Sequence, residues 1–147
     1  MIRRLGAPPQ QGKTYQIRAG AYAILPIDRR FLLTAQIGNE IDIQLPGGGI
    51  DPGESPLQAL HREVIEETGW KIATPRRMGA FRRFVFMPEY DLWAEKLCHI
   101  YLAHPVRQLS PPTEPLHQTM ILDAQDAIQH LGNDGDRLFL QRYASMA

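Results

Sequence analysis

The stretch from Gly47 to Gly69 places the tightest local constraint on this 147-residue chain, because it specifies a helix together with both of its ends. Ser55, Pro56 and Gln58 make a capping box with proline at the first helical position, and Gly69 stands where a left-handed C-terminal cap belongs. The spacing predicts a helix over Pro56–Thr68. Its apolar positions Leu57, Leu60 and Val64, with Thr68 continuing the row, share one side, so that side is expected to pack on a neighbouring layer. Just before it, Gly47-Gly48-Gly49 allows a tight turn and a close backbone approach.

Around this helix the pattern alternates between strand and helix. Ile17 to Leu25 and Phe31 to Ile37 are apolar and β-prone, with a turn between them, and Glu40 to Leu45 is a short strand. Gly79 to Met87 and Lys96 to Ala103 are two further strands, joined by a loop over Pro88 to Glu95. Pro105 to Pro115 holds four prolines and is expected to be a long loop. A brief strand at Met120 to Leu122 precedes helices over about Asp123 to Leu131 and Asp134 to Ala144. The whole reads as an α/β domain, a mixed β-sheet sandwiched between α-helices. Residues 1–16, with Gly6-Ala7-Pro8-Pro9 and no apolar period, read as an N-terminal arm, and 17–147 as one domain.

Sixteen basic residues balance sixteen acidic ones, which argues against a broadly basic nucleic-acid binder, so no nucleic-acid partner is expected. Apolar runs such as Ala21 to Pro26 fall far short of the roughly 20 residues that span a bilayer, so no membrane partner is expected either. The single cysteine, Cys98, permits no internal disulfide, and a reducing, cytoplasmic setting is the expectation.

On the predicted helix, Glu63, Glu66 and Glu67 fall at i, i+3 and i+4 and project from one face, about 100° round from the apolar stripe. Three carboxylates so placed repel one another unless a positive charge sits among them. Oxygen-only donors suit Mg²⁺ or Mn²⁺. A solvated face, with Arg62 pairing Glu66 at i, i+4, is the plainer alternative.

Gly48, Glu54, Arg62, Glu63, Val64, Glu66, Glu67, Gly69 and Trp70 fill every fixed position of the pattern G-x5-E-x7-R-E-U-x-E-E-x-G-U, where U is bulky and apolar. This stretch resembles the box of the Nudix hydrolases, and the order of strands and helices around it is similar to their fold. The resemblance implies that Glu63, Glu66 and Glu67 bind Mg²⁺ or Mn²⁺ with the carbonyl of Gly48. It also implies that Glu54 contributes indirectly and that Arg62 orients a glutamate. The implied reaction is attack of water on a phosphorus of a nucleoside diphosphate linked to another group. The compact chain looks most like the MutT-like branch, which favours nucleoside triphosphates. Hydrolysis of ADP-ribose, nucleotide sugars or dinucleoside polyphosphates, and a non-catalytic nucleotide-sensing domain, are the alternatives.

The resemblance places a general base in the segment before the last strand, where Glu114 and His117 are the candidates. Arg18 and Arg82 are candidates for meeting phosphate charge, and Tyr90 and Trp93, in the expected hairpin loop, for stacking on a base. A monomer or a homodimer is expected.

Overall fold

Wherever β-branched and aromatic residues alternate in this chain, the computed structural model, which describes residues 2–146, pairs them into one of two sheets. The strands are β1 (Arg3–Arg4), β2 (Gln16–Ile24), β3 (Pro26–Ile27), β4 (Arg30–Ile37), β5 (Ile41–Gln44), β6 (Gly47–Gly49), β7 (Trp70–Met87), β8 (Leu92–Gln108) and β9 (His117–Asp123). The helices are α1 (Pro56–Thr68), α2 (Ala124–His130) and α3 (Asp134–Met146). One mixed sheet runs β1-β7-β8-β2-β6, and the other joins β3, β4, β5 and β9.

Side-chain alternation sends the two faces of these sheets to different partners. Ala21, Ala23, Leu25, Leu32, Tyr101 and Ala103 meet Leu60 and Val64 of α1 on one side. Tyr22, Ile24, Leu33, Phe81 and Ile100 meet Ala127 of α2, Leu131 just past its end, and Phe139 and Leu140 of α3 on the other. The sheets therefore form the middle layer, with α1 on one face and the last two helices on the opposite one.

The capping box of α1 is present in full, and Gly69 closes the helix at φ 76°. Leu57 departs from the expected stripe. It lies in the first turn, 42% exposed, and Ala59 is buried instead. The long hairpin also exceeds expectation at both ends. The strand expected from Gly79 begins at Trp70 instead, and Thr74, Pro75 and Gly79 are accommodated in β7 by register shifts between Ala73 and Arg76 and between Arg77 and Gly79. Pro105 pairs with Ile72 inside β8, so the proline-rich loop begins only after Gln108. The N-terminal arm is anchored as well: Arg3 and Arg4 pair in parallel with Phe81 and Arg82, and Arg4 Nε donates to the buried carboxylate of Glu95 at 2.8 Å.

Candidate active site

Gly47, Gly48 and Gly49 form the edge strand β6, antiparallel to Gly20, Ala21 and Tyr22 of β2. A Cβ on Gly47 (φ 145°) would lie 2.1 Å from the carbonyl oxygen of Ala21, so only glycine lets β6 pair this closely. A Cβ on Gly48 would lie 2.4 Å from Cδ of Glu63, inside the carboxylate. The glycine run thus brings bare backbone against the acidic face of α1.

That face opens into a cavity of about 680 Å³, lined by Glu63, Glu67, Arg62, Gly48, Glu114, His117, Arg18 and Tyr90 among others. Glu67 is the deepest of the acids, 6% exposed, and its Oε1 accepts the N–H of Gly47 at 3.0 Å. Burial pushes its carboxyl well above the ordinary value, and the charges of Glu63 and Glu114 push it the same way. Glu63 is raised as well, chiefly by burial and in spite of its bond to Arg62.

Arg62 gathers the remaining acids. Nε donates to Glu54 at 2.7 Å, one terminal nitrogen reaches Glu63 at 3.0 Å and Glu66 at 3.3 Å, and the other reaches the Gly49 carbonyl at 3.0 Å. This guanidinium holds the Glu54 carboxyl at about 2. Glu66 lies outside the cavity lining and faces Arg62.

Loop and strand complete the opposite wall. The N–H groups of Thr113 and Glu114 both donate to the carbonyl of Glu66 at 2.8 Å, which fastens the segment before β9 to the last turn of α1. His117 opens β9, with Nδ1 2.9 Å from Thr34 Oγ1 and Nε2 3.7 Å from Glu67 Oε2. Burial lowers its pKa, so the ring is neutral at pH 7.

Arg18 lines the cavity with its guanidinium 5.2 Å from the Tyr90 ring centroid, in cation–π contact. Arg82 and Trp93, expected to meet substrate, do not line it. Arg82 falls on the other face of the sheet, where it reaches Glu95 at 3.6 Å and the Ile2 carbonyl at 3.3 Å. Trp93 belongs to β8 rather than to a loop, and packs edge-on against Tyr15 and beside Phe86. The Pro88–Tyr90 turn is only one short 3₁₀ helix, so the strand resumes before Trp93 and its alternation directs the indole outward. Lys96, Gln36, Gln44 and Tyr22 also line the cavity and were missing from the sequence reading. For Gln36 the signal was present: it continues the buried Leu32–Thr34 row of β4 with a polar side chain.

The family model for the NUDIX domain matches residues 14–143. The chain belongs to the Nudix family. A Nudix hydrolase from Nitrosomonas europaea superposes with a TM-score of 0.69 at 18% identity, covering 88% of this chain and 90% of that one. A MutT protein from Bacillus halodurans gives the same score at 21% identity over 84% and 80% of the two chains. Both likenesses show the Nudix fold. A Bacillus subtilis protein named as an 8-oxo-dGTP diphosphatase is 35% identical over 74 residues, half of each chain. An RNA pyrophosphohydrolase from Helicobacter pylori (strain G27) is 60% identical over 37 residues, 22% of this chain and 24% of its own. The matched part spans half or less of these curated relatives.

The acidic donors of this Nudix site suit a hard divalent cation, since all are oxygens and burial raises the pKa of both Glu63 and Glu67, a cost that a bound cation would offset. Among the described residues no three acidic, histidine or cysteine side chains already form a metal cage. Mg²⁺ does not require one, because it commonly keeps several waters and binds through one or two carboxylates together with substrate phosphates. Among the described residues no helix is long and apolar enough to cross a membrane.

Proposed function

We propose that this Nudix protein hydrolyses a phosphoric anhydride in a nucleoside diphosphate linked to another group, with Mg²⁺ or Mn²⁺, and that its substrate is a nucleoside triphosphate or a modified one. The observation that carries this reading is the buried Glu67 carboxylate, held by the Gly47 N–H beside Glu63 and facing His117 in a cavity large enough for a nucleotide. Glu63, Glu67 and the Gly48 carbonyl are the groups that would hold the cation, joined by Glu66 on release from Arg62. Once bound, it supplies positive charge to the diphosphate oxygens as the transition state forms.

The protein's own groups do the rest. Arg62 orients Glu63 and Glu54, while the Gly47 N–H fixes Glu67. His117, neutral and bonded through Nδ1 to Thr34, presents Nε2 as the proton acceptor for the attacking water. Glu114 is the alternative acceptor, and its exposed position on a loop favours it less. Arg18 and Tyr90 stand at the mouth, suited to phosphate charge and to a base.

The names of the Helicobacter relatives favour a second reading, in which the triphosphate is the 5′ end of an RNA. The test is a panel of nucleoside triphosphates, oxidised triphosphates, 5′-triphosphorylated RNA, ADP-ribose and dinucleoside polyphosphates, assayed with Mg²⁺ and then with Mn²⁺. Turnover of a free triphosphate is expected, together with a loss of about 10²-fold or more in Glu67→Gln. Turnover confined to ADP-ribose or a dinucleotide overturns the substrate assignment. An unaffected Glu67→Gln overturns the mechanism.

A further inference from the structure

The α1 carboxylates occupy one wall of the cavity, and basic side chains line another part of it, with Glu89 nearby on the rim. Arg18 of β2 pairs in register with Lys96 of β8, and Lys96 in turn lies opposite Arg83 of β7. Residues paired across neighbouring strands share a face, so three cations stand side by side across three strands. Arg18 and Lys96 line the main cavity, while Arg83 stands behind Lys96 in a small adjoining recess.

Like charges directly opposite one another are unfavourable and call for a counterion. Among the described residues none of the three cations makes an ion pair or a side-chain hydrogen bond to a carboxylate. Aromatic faces take that place: Lys96 Nζ is 5.8 Å from the Tyr22 ring centroid, as the Arg18 guanidinium is 5.2 Å from that of Tyr90. The Tyr22 ring reaches Lys96 because residue 20 is glycine; a Cβ there would sit 2.8 Å from Tyr22 Cε2. An aromatic face holds a cation in place without neutralising it. Asp136, the buried carboxylate of the recess, is occupied by the Leu45 N–H at 3.1 Å. Burial first, and then the neighbouring Arg83, lower the Lys96 pKa and outweigh the nearby acids Asp136 and Glu89, neither of which bonds to it.

We propose that Arg18 and Lys96, backed by Arg83, form an oxyanion subsite that receives a phosphate of the substrate lying outside the diphosphate that is cleaved. Its source is either a further phosphate of the polyphosphate chain or a phosphate on the ribose 3′ oxygen. This inference rests on the hydrolase reading only for the place of the scissile diphosphate. The subsite itself requires no metal.

The test exploits that independence. Tripolyphosphate and adenosine 3′,5′-bisphosphate are titrated calorimetrically into the intact protein in EDTA at low salt. At least one is expected to bind near ~1 mM or tighter, more weakly as salt rises. Lys96→Met is expected to weaken binding about tenfold and Arg18→Met about threefold, with Lys96→Arg close to wild type. The probe that binds more tightly names the source of the phosphate. Arg142→Met, in the separate basic groove beside Phe139, serves as a control and leaves binding unchanged. Thermal melts confirm the fold of each variant, and the exposed Arg18→Met carries the test if Lys96→Met does not fold. No metal-free binding of either probe, or binding indifferent to both methionine variants, overturns the subsite. Hydrolysis is assayed separately, so a protein that binds tripolyphosphate but cleaves nothing refutes the catalytic reading and leaves the subsite standing.

Discussion

His117 Nε2 stands 3.7 Å from Glu67 Oε2, with Thr34 Oγ1 2.9 Å from the other ring nitrogen. The first distance is too long for a direct hydrogen bond, so the two groups are neighbours without being bonded. The second fixes the ring plane from β4, so the imidazole approaches the acids from the β3-β4-β5-β9 sheet.

If His117 accepts the proton of the attacking water, His117→Asn lowers kcat by about 10²-fold or more while KM changes little. The acid limb of the kcat profile, set by the depressed His117 pKa and therefore found below 6.5, disappears in the variant. A steady-state profile from pH 5 to 8 checks both. An unchanged acid limb transfers the role to Glu114.

Glu67 has a folded pKa above 4.5, so the native state retains a proton that the unfolded chain has released. Its contribution to stability is fully present below 4.5 and is lost as pH rises through the folded value. Glu67→Gln keeps the carbonyl that accepts the Gly47 N–H and removes the charge. In EDTA the variant should therefore gain on wild type in melting temperature as pH rises. A divalent cation should raise the wild-type melt more than that of the variant. Parallel melting curves at every pH would sink the idea.

Gly47 and Gly48 should respond differently to alanine. At Gly47 the new Cβ meets the Ala21 backbone, so Gly47→Ala costs more than ~2 kcal/mol and lowers the urea midpoint. At Gly48 the nearest atoms are those at the end of the Glu63 side chain, which can swing away. Gly48→Ala is thus expected to stay folded, with a melt close to wild type, and to lose about 10²-fold in turnover through the displaced carboxylate.

The Arg62–Glu54 pair gives the opposite pH signature. Glu54 is held at about 2, so its contribution is present above 4.5 and is lost as pH falls towards that value. Arg62→Met should return the Glu54 carboxyl to near 4.5, as read by a carbon-detected titration of the side chain. A Glu54 that still titrates near 2 shows that the Asp51 N–H, its other donor at 2.9 Å, holds it unaided.

The parts of this molecule that rest on short-range rules were legible in the sequence. The α1 caps, the acidic face and the glycine run depend on residues within a few positions of one another, and Ser55, Gly69, Glu63 and Glu67 stand where those rules put them. Strand register was not legible, because it depends on pairing over long separations. Lys96 enters the cavity through a partner 78 residues away, Arg18, and Arg82 leaves it because it is one residue out of step with Arg83. The start of β7 was not legible for the same reason. Thr74 and Pro75 would end an isolated strand, whereas here a bulge in a long hairpin takes them in.

The last turn of α1 does more than end a helix. With the Glu66 carbonyl bonded to Thr113 and Glu114, and the Gly69 carbonyl to Leu109, α1 serves as the mould on which the 109–114 segment sets. Variation in length is therefore tolerated unequally along it. A residue inserted between Gln108 and Leu109 would dislodge every one of these bonds, whereas one inserted between Glu114 and His117 would leave them in place and shift only the register of β9. Relatives could thus exchange the group that faces Glu67 by lengthening a three-residue step, with the acids and their helix untouched.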